Sequence, residues 1–303
     1  MAVMPMKRMT LIAMRRDRKE LLQFLQRQGT TEIDTDVADD GIYKKIDVSS
    51  QKQIFLKNIK QAEDALDILN KVAPEKKSLL SSLAGREIIS LKDFEKDLGR
   101  RNEIMSVISK INSLYKENLE LIAQIPKDEM DREALVPWEG FDLPLDFSGT
   151  EKTKAFIGTL PGDLSAEDIY LTLGMLFKEA DRVDVEIISK SDQYTAVMFV
   201  TGNENAEELN DVLHRMNFTK APSQAVTDSD GTSLTPAKAI ERIDAETARK
   251  AARRKQIISD ITDLAADRHD IELIRDYFTM RKDKYDVIGS INQSDHVVII
   301  TGY

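Results

Sequence analysis

Two clusters of cations stand out in a chain that is otherwise acidic. Lys7, Arg8, Arg15, Arg16, Arg18 and Lys19 crowd the N-terminal stretch, and Arg249, Lys250, Arg253, Arg254 and Lys255 crowd a later one. Guanidinium and ammonium groups at such density recognise carboxylates or phosphates through charge-assisted hydrogen bonds. The chain as a whole carries 43 Lys and Arg against 53 Asp and Glu, a formal net charge of -10. That balance excludes a general nucleic-acid binder, which must neutralise many phosphates at once. Each cluster therefore reads either as a solvated face or as a local docking patch for an acidic helical partner.

Other chemistry is hard to assemble. No Gly-x-x-x-x-Gly-Lys-Ser/Thr segment is present to cradle phosphates, and no Gly-x-Gly-x-x-Gly follows a strand. His214, His269 and His296 fall in separate elements without metal-ligand spacing. Asp228, Ser229, Asp230 and Gly231 imitate the middle of a calcium loop, but the first and twelfth ligand positions would be Val226 and Ala237, so this is a turn. Carboxylate pairs such as Glu207 and Glu208 belong on solvated faces at this acidity. The sequence thus predicts no catalytic residue, no cofactor and no metal site. Cys is absent, which rules out disulfides and thiolate ligands and fits a reducing compartment.

The elements that must position the cations follow from periodicity. Residues 4–13 read as a strand, and Asp17 opens an amphipathic helix through Leu21, Leu22, Phe24 and Leu25 that stops at Gly29. Residues 30–34 read as a second short strand, and 39–41 as a turn. From residue 50, Ile54, Leu56, Ile59, Ala62, Leu66 and Leu69 take helical spacing up to Pro74. Residues 74–88 read as a loop or broken helix. Ser90 followed by Asp93 resembles a cap for a further helix that ends at Pro126.

That helix carries Ile104, Ile108, Ile111, Tyr115, Asn118, Ile122 and Ile125 at alternating spacings of four and three, a coiled-coil seam. Asn118 either fixes register or lies at the edge of the stripe. A second long helix is predicted from Pro236 to Tyr285, with Ile257, Leu264, Ile271 and Phe278 recurring every seven residues and Ile261 between them. At 1.5 Å per residue its roughly fifty residues give a rod of about 75 Å, which needs a partner helix. Between the two helices, strand and helix signals over 153–218 give a βαββα unit, preceded by a linker at 136–147 that is rich in Pro and aromatics.

The expected fold is α+β: a dumbbell of two lobes joined by an antiparallel two-helix coiled-coil rod. Residues 1–50 with 286–303 form the proximal lobe, 51–135 the outgoing helices, 136–225 the distal lobe and 232–285 the returning helix. The 303 residues suffice for two or three domains. Charged residues at 32%, with aromatics at only 6%, favour long exposed helices over compact β architecture. No apolar run reaches membrane-spanning length, and Lys7 and Arg8 arrive too early for a signal peptide. A soluble cytosolic piece is expected.

Four stretches carry a family resemblance: "VMPMKRMTLIAMRRDRKELLQFLQRQGTTEID" at 3–34, "VAPEKKSLLSSLAGREIISLKDFE" at 72–95, "AFIGTLP" at 155–161 and "HVVIITGY" at 296–303. In this order, across essentially the whole chain, they resemble the N-terminal cytosolic region of V-type ATPase/ATP synthase subunit I, the bacterial and archaeal counterpart of eukaryotic subunit a. The resemblance implies a non-catalytic stator or collar, on the cytoplasmic face of a membrane, that ties peripheral stalks and the catalytic head to the membrane sector. It implies partners that are coiled-coil stalk heterodimers, with no nucleic acid and no small-molecule substrate. The family's ion half-channels and essential arginine are expected in a C-terminal membrane domain outside these 303 residues. On this view Arg15, Arg16, Arg18 and Lys19 are the partner-binding candidates.

Two other classes compete. A regulatory small-ligand module built on a coiled-coil scaffold would suit the βαββ lobe, but no Gly-rich phosphate loop supports it. A chromosome-organising coiled-coil scaffold would need a nucleotide-binding head, and none is legible.

Overall fold

The computed structural model describes residues 6–34, 45–75, 90, 94, 98–222, 226–228 and 230–303. The turn expected at 39–41, the loop at 74–88 beyond Glu75, and the cap at Ser90 and Asp93 fall wholly or largely outside them. The chain is mixed helix and sheet, with two antiparallel sheets, and divides into two units. One comprises residues 1–117 with 257–303, and the other 118–256.

In the first unit, strand β1 (Met9–Met14) alternates strictly, turning Met9, Leu11 and Ala13 inward and Thr10, Ile12 and Met14 outward. It pairs antiparallel with β7 (Val297–Gly302), Met9 opposite Gly302 and Met14 opposite Val297. On its other edge β7 pairs with the two-residue β6 (Asn292–Gln293). Helix α1 (Arg18–Gln28) covers the sheet with Leu22 and Leu25, which pack with Ile288, Ile291, Val298 and Ile300. Gly29 ends α1 in the left-handed conformation, at φ 64°, as a C-terminal glycine should.

The strand expected at 30–34 is a single bridge, Ile33 opposite Gly302. Glu32 and Tyr303 exchange both backbone hydrogen bonds, at 3.0 and 2.9 Å. The approach is so close that a Cβ on Gly302 would lie 2.4 Å from the Glu32 carbonyl oxygen. Glycine is required there for space, not for dihedral freedom.

Helix α2 (Ser49–Val72) runs antiparallel to α7 (Arg268–Ser290), because Lys52 bonds Asp286 at one end and Asn70 bonds Arg268 at the other. The buried face of α2 is Ala62, Ala65, Leu66, Ile68 and Leu69, extended by the half-buried Phe55 and Ile59. Ile54 and Leu56, expected in the core, are exposed at 60% and 49%. One residue of rotation explains this, since Phe55 takes the inward position and stacks on Tyr285 at 5.2 Å. Helix α3 (Arg101–Leu135) adds Ile104, Ile108 and Ile111 to this unit, and helix α6 (Pro236–Asp263) adds Ile257 and Ile261, all buried.

The long returning helix is not continuous. A 3-10 turn, Leu264–Asp267, separates α6 from α7, and α7 continues to Ser290 instead of ending near Tyr285. Immediately after the turn, Arg268 points inward and is 6% exposed. Its guanidinium donates to the Leu69 carbonyl at 3.2 Å, the Ala73 carbonyl at 2.6 Å and the Asn70 side chain. It thus caps the C-terminal end of α2, where the Ala73 carbonyl lacks an intrahelical donor and the helix dipole favours a cation.

The second unit is a four-stranded antiparallel sheet in the order β3 (Asp184–Lys190), β4 (Tyr194–Gly202), β2 (Thr153–Pro161), β5 (Thr219–Lys220). One face is covered by α4 (Ala166–Leu176) and α5 (Ala206–Arg215), which bury Ile169, Leu173, Leu209, Val212 and Leu213 against Leu160, Val197 and Phe199. A capping box between Ser165 and Asp168 starts α4. Trp138 and Phe141 cover the opposite face, against Ile157, Ala196 and Met198.

In this unit α3 and α6 run antiparallel, joined by Asn118 with Arg254, Asp128 with Lys250 at 2.6 Å, and Arg132 with Asp244 at 2.7 Å. Helix α3 passes through Pro126 without ending. The missing amide would have donated to Ile122, whose side chain is 41% exposed, so that carbonyl lies on the solvent side. The pairs at Asp128 and Arg132 and the buried Leu135 lie beyond the proline and hold the extra turns. Ile122 leaves the seam, and the half-buried Leu121 takes its place.

Arg268→Met should destabilise the chain by about 2–3 kcal/mol, since it strips charge-assisted hydrogen bonds from buried carbonyls. Glu75→Gln should cost under ~1 kcal/mol, because Glu75 is exposed where it meets Arg268. Urea denaturation of the two variants checks both.

Candidate docking surface

Strand β1 delivers the N-terminal cations to one end of the sheet. Arg15–Asp17 form a short 3-10 turn between β1 and α1, and the Arg15 amide donates to the His296 carbonyl at 2.8 Å, continuing the β1–β7 ladder. The turn and the β6–β7 connection together line an open cleft of about 390 Å³ whose walls are Met14, Arg15, Arg16, Arg18, Asp295 and His296.

Within it the arginines differ. Arg15 and Arg16 are exposed, and Arg16 meets only its neighbour Asp17, at 3.5 Å between largely solvated groups. Arg18 is half-buried and donates through Nη1 to the Gln293 side chain, which is 4% exposed. Its Nε is buried without a hydrogen-bond partner. Burial, reinforced by the charge of Arg15, lowers the Arg18 pKa from the usual arginine value, and Tyr285 opposes the shift. Lys19 is exposed but does not line this cleft; its charge is felt by Lys284 of α7. The structure therefore brings Arg15, Arg16 and Arg18 together, adds His296 and Asp295, and separates Lys19 from them.

The second cation cluster is largely spent internally. Lys250 is paired with Asp128, both side chains under 20% exposed. Arg254 donates to Asn118 at 3.3 Å, and Asn118 itself is 5% exposed. Asn118 is thus a buried polar partner across two helices, not an edge residue. Arg249, Arg253 and Lys255 of that run are exposed.

Among the described residues no three His, Cys, Asp or Glu side chains are grouped to hold a metal ion. Asp228 and Asp230 form a turn, with the Gly231 amide donating to the Asp228 carbonyl at 3.0 Å and the Thr232 amide to the Asp230 carboxylate at 3.0 Å. No described helix is long and apolar enough to cross a membrane.

The molecule these features define is an α+β protein with a cationic end surface on its first unit. No family model and no curated protein matches the sequence. Among solved structures, the chain is similar to the crystal structure of the cytoplasmic N-terminal domain of subunit I, homolog of subunit a, of V-ATPase. The two are 17% identical, with 98% of this chain and 93% of that chain covered and a TM-score of 0.49.

Arg18→Ala should cost about 1–3 kcal/mol, because it leaves the buried Gln293 side chain without its donor. Arg16→Ala should change stability by under ~0.5 kcal/mol. Denaturant midpoints of the two variants separate the structural arginine from the available ones.

Proposed function

We propose that this chain is a non-catalytic stator or collar element of a rotary V-type ATPase, anchoring peripheral-stalk coiled-coil heterodimers and linking the catalytic head to the membrane sector. The observation that carries the reading is the order of the four family-like stretches along the chain, from 3–34 to 296–303. On this reading two α+β lobes, 1–50 with 286–303 and 136–225, serve as separate anchors, and the helices between them in sequence carry mechanical load.

The geometry supports a docking role for the first unit. Arg15 and Arg16 are exposed beside a sheet end, in a chain whose formal net charge is -10. An acidic helical partner would meet a local positive patch there against a repulsive background, which favours one orientation of approach. Arg18 is committed to Gln293 and acts by holding the turn in place.

Arg15→Glu combined with Arg16→Glu should weaken binding of a peripheral-stalk heterodimer by about 1–2 kcal/mol, with most of the loss in association rate and a flatter salt dependence. Titration of the heterodimer at two ionic strengths measures this, and circular dichroism confirms that the fold is intact. Unchanged affinity and salt response would place the docking surface elsewhere.

A further inference from the structure

Among the described residues the two sheets present four edge strands, and three of these are protected. In the second unit β3 carries a register shift between Ile187 and Ser189 and the charges of Asp184, Glu186 and Lys190. Its Val185 amide is taken by the Tyr170 hydroxyl at 3.2 Å. Strands β5 and β6 have two residues each, and the strands behind them, β2 and β7, are bonded further along by residues 148–150 and 32–34. Bulges, charges and shortness are the devices that keep sheet edges from pairing with other chains. The fourth edge strand is β1, which uses none of them. Its six residues, Met9–Met14, include no charge and no proline, and its register with β7 is unbroken.

The ladder identifies which main-chain groups line the open edge. The Arg15 amide donates to the His296 carbonyl, and hydrogen-bonded positions of an antiparallel pair recur every second residue. The main chain of Met9, Leu11 and Ala13 is therefore turned to β7, and that of Thr10, Ile12 and Met14 is turned away from it. Residues 32–34 bond Thr301 and Tyr303, whose main chains face the other side of β7. Thr10, Ile12 and Met14 thus direct their N–H and C=O groups outward along an edge of about 20 Å. The same residues carry exposed side chains, Ile12 at 72% and Met14 at 47%. An added strand would gain apolar cross-strand contacts there as well as hydrogen bonds.

Charge decides what occupies this edge. Lys7 and Arg8 precede β1 and Arg15 and Arg16 follow it, all four exposed. A second copy paired antiparallel would set Lys7 and Arg8 of one copy against Arg15 and Arg16 of the other, and a parallel pair would set each against its like. Like charges placed opposite each other destabilise a strand pair, and cations flanking an apolar strand act as gatekeepers against self-association. We propose that the open edge of β1 takes an extended segment of another protein by strand addition: about six residues with an apolar, β-branched centre, bounded at both ends by Asp or Glu. Main-chain hydrogen bonds to Thr10, Ile12 and Met14 hold the segment, Ile12 packs on its centre, and the two pairs of cations read its acidic ends. This partner is strand-shaped where the stalk is helical, and the inference does not rest on the stalk reading.

A fluorescein-labelled peptide, Glu-Glu-Thr-Val-Thr-Val-Thr-Val-Glu-Glu, titrated with the full chain and followed by anisotropy, is the test. Saturable one-to-one binding is expected, and the same peptide with Lys in place of Glu should bind about tenfold or more weakly. Only alternate amides of the peptide can face β1, so N-methylating one alternate set should abolish binding while methylating the other leaves it. On the protein, Ile12→Pro removes an outward donor and keeps the β7 ladder, the kind of position where an edge strand tolerates proline. It should weaken the peptide by about tenfold or more and leave the affinity for a stalk heterodimer unchanged.

Amide hydrogen exchange supplies the second readout. In the free chain Leu11 and Ala13 should be protected while Thr10, Ile12 and Met14 exchange fast, and the peptide should slow these three. Should Ile12→Pro fail to fold, the two methylated peptides decide with the native chain. Slow exchange at Thr10, Ile12 and Met14 before any peptide is added would mean that the edge is already covered, and would overturn the proposal. So would the absence of saturable binding, equal binding of the Lys peptide, or binding indifferent to both methylated sets. A concentration-dependent dimer that Ile12→Pro abolishes would assign the edge to a second copy instead.

Discussion

The first unit depends on one guanidinium. Helix α2 ends beside Pro74, with the Ala73 amide donating to the Leu69 carbonyl at 2.8 Å as its closing helical bond. Arg268 reaches this end from the start of α7 and donates to the Leu69 and Ala73 carbonyls and to the Asn70 side chain at once. A buried cation would ordinarily be costly, but here it replaces its hydration with carbonyl oxygens at the negative end of a helix dipole. The same contact fixes the axial register of α2 against α7. With that end fixed, Phe55 meets Phe278 and Tyr285 further along, and Lys52 meets Asp286. The 3-10 turn at Leu264–Asp267 immediately precedes Arg268, and its tighter winding accompanies the inward turn of the side chain.

Polar groups hold helices together in the second unit too, by a different means. Between the helices, Asn118 with Arg254, Asp128 with Lys250 and Arg132 with Asp244 alternate with the buried apolar cluster of Leu135, Ala239 and Ile240. Such pairs add little stability each, and the half-exposed Arg132 with Asp244 adds least. What they supply is discrimination, because a shift of one turn would set each charge against the wrong neighbour. The apolar seam of Ile104, Ile108 and Ile111 can slide with less penalty. Polar pairing is thus a physical reason for cations in the middle of a helix that needs no external partner.

Much of this was legible in the sequence. Strand alternation at Met9–Met14, the stop at Gly29 and the βαββα order of 153–218 all follow from local rules, and the structure shows those elements. The structure differs from local expectation where tertiary packing chooses between adjacent residues. Phe55, not Ile54 or Leu56, faces inward, since periodicity in a short window tolerates one residue of rotation. Pro126 reads as a stop in sequence because its backbone cost is local, while the pairs that offset it are distant in sequence. Arg268 occupies the seam position between Leu264 and Ile271, a polar intruder visible in the heptad, but its target at the end of α2 was not.

The same limit explains the site. Arg15 and Arg16 could be singled out because neighbours in sequence make a visible cluster. Arg27, Arg281 and Lys284 do not, since they come together only when α1 lies against α7. Density of charge in sequence is therefore a poor guide to free charge in space. In the two dense clusters, Lys250 and Arg254 are committed to Asp128 and Asn118, and Arg18 is tied to Gln293. On α7, Arg281 lies against the rings of Phe55, Tyr277 and Tyr285. A cation already paired has little left to offer a partner, because a new contact must first break the old one.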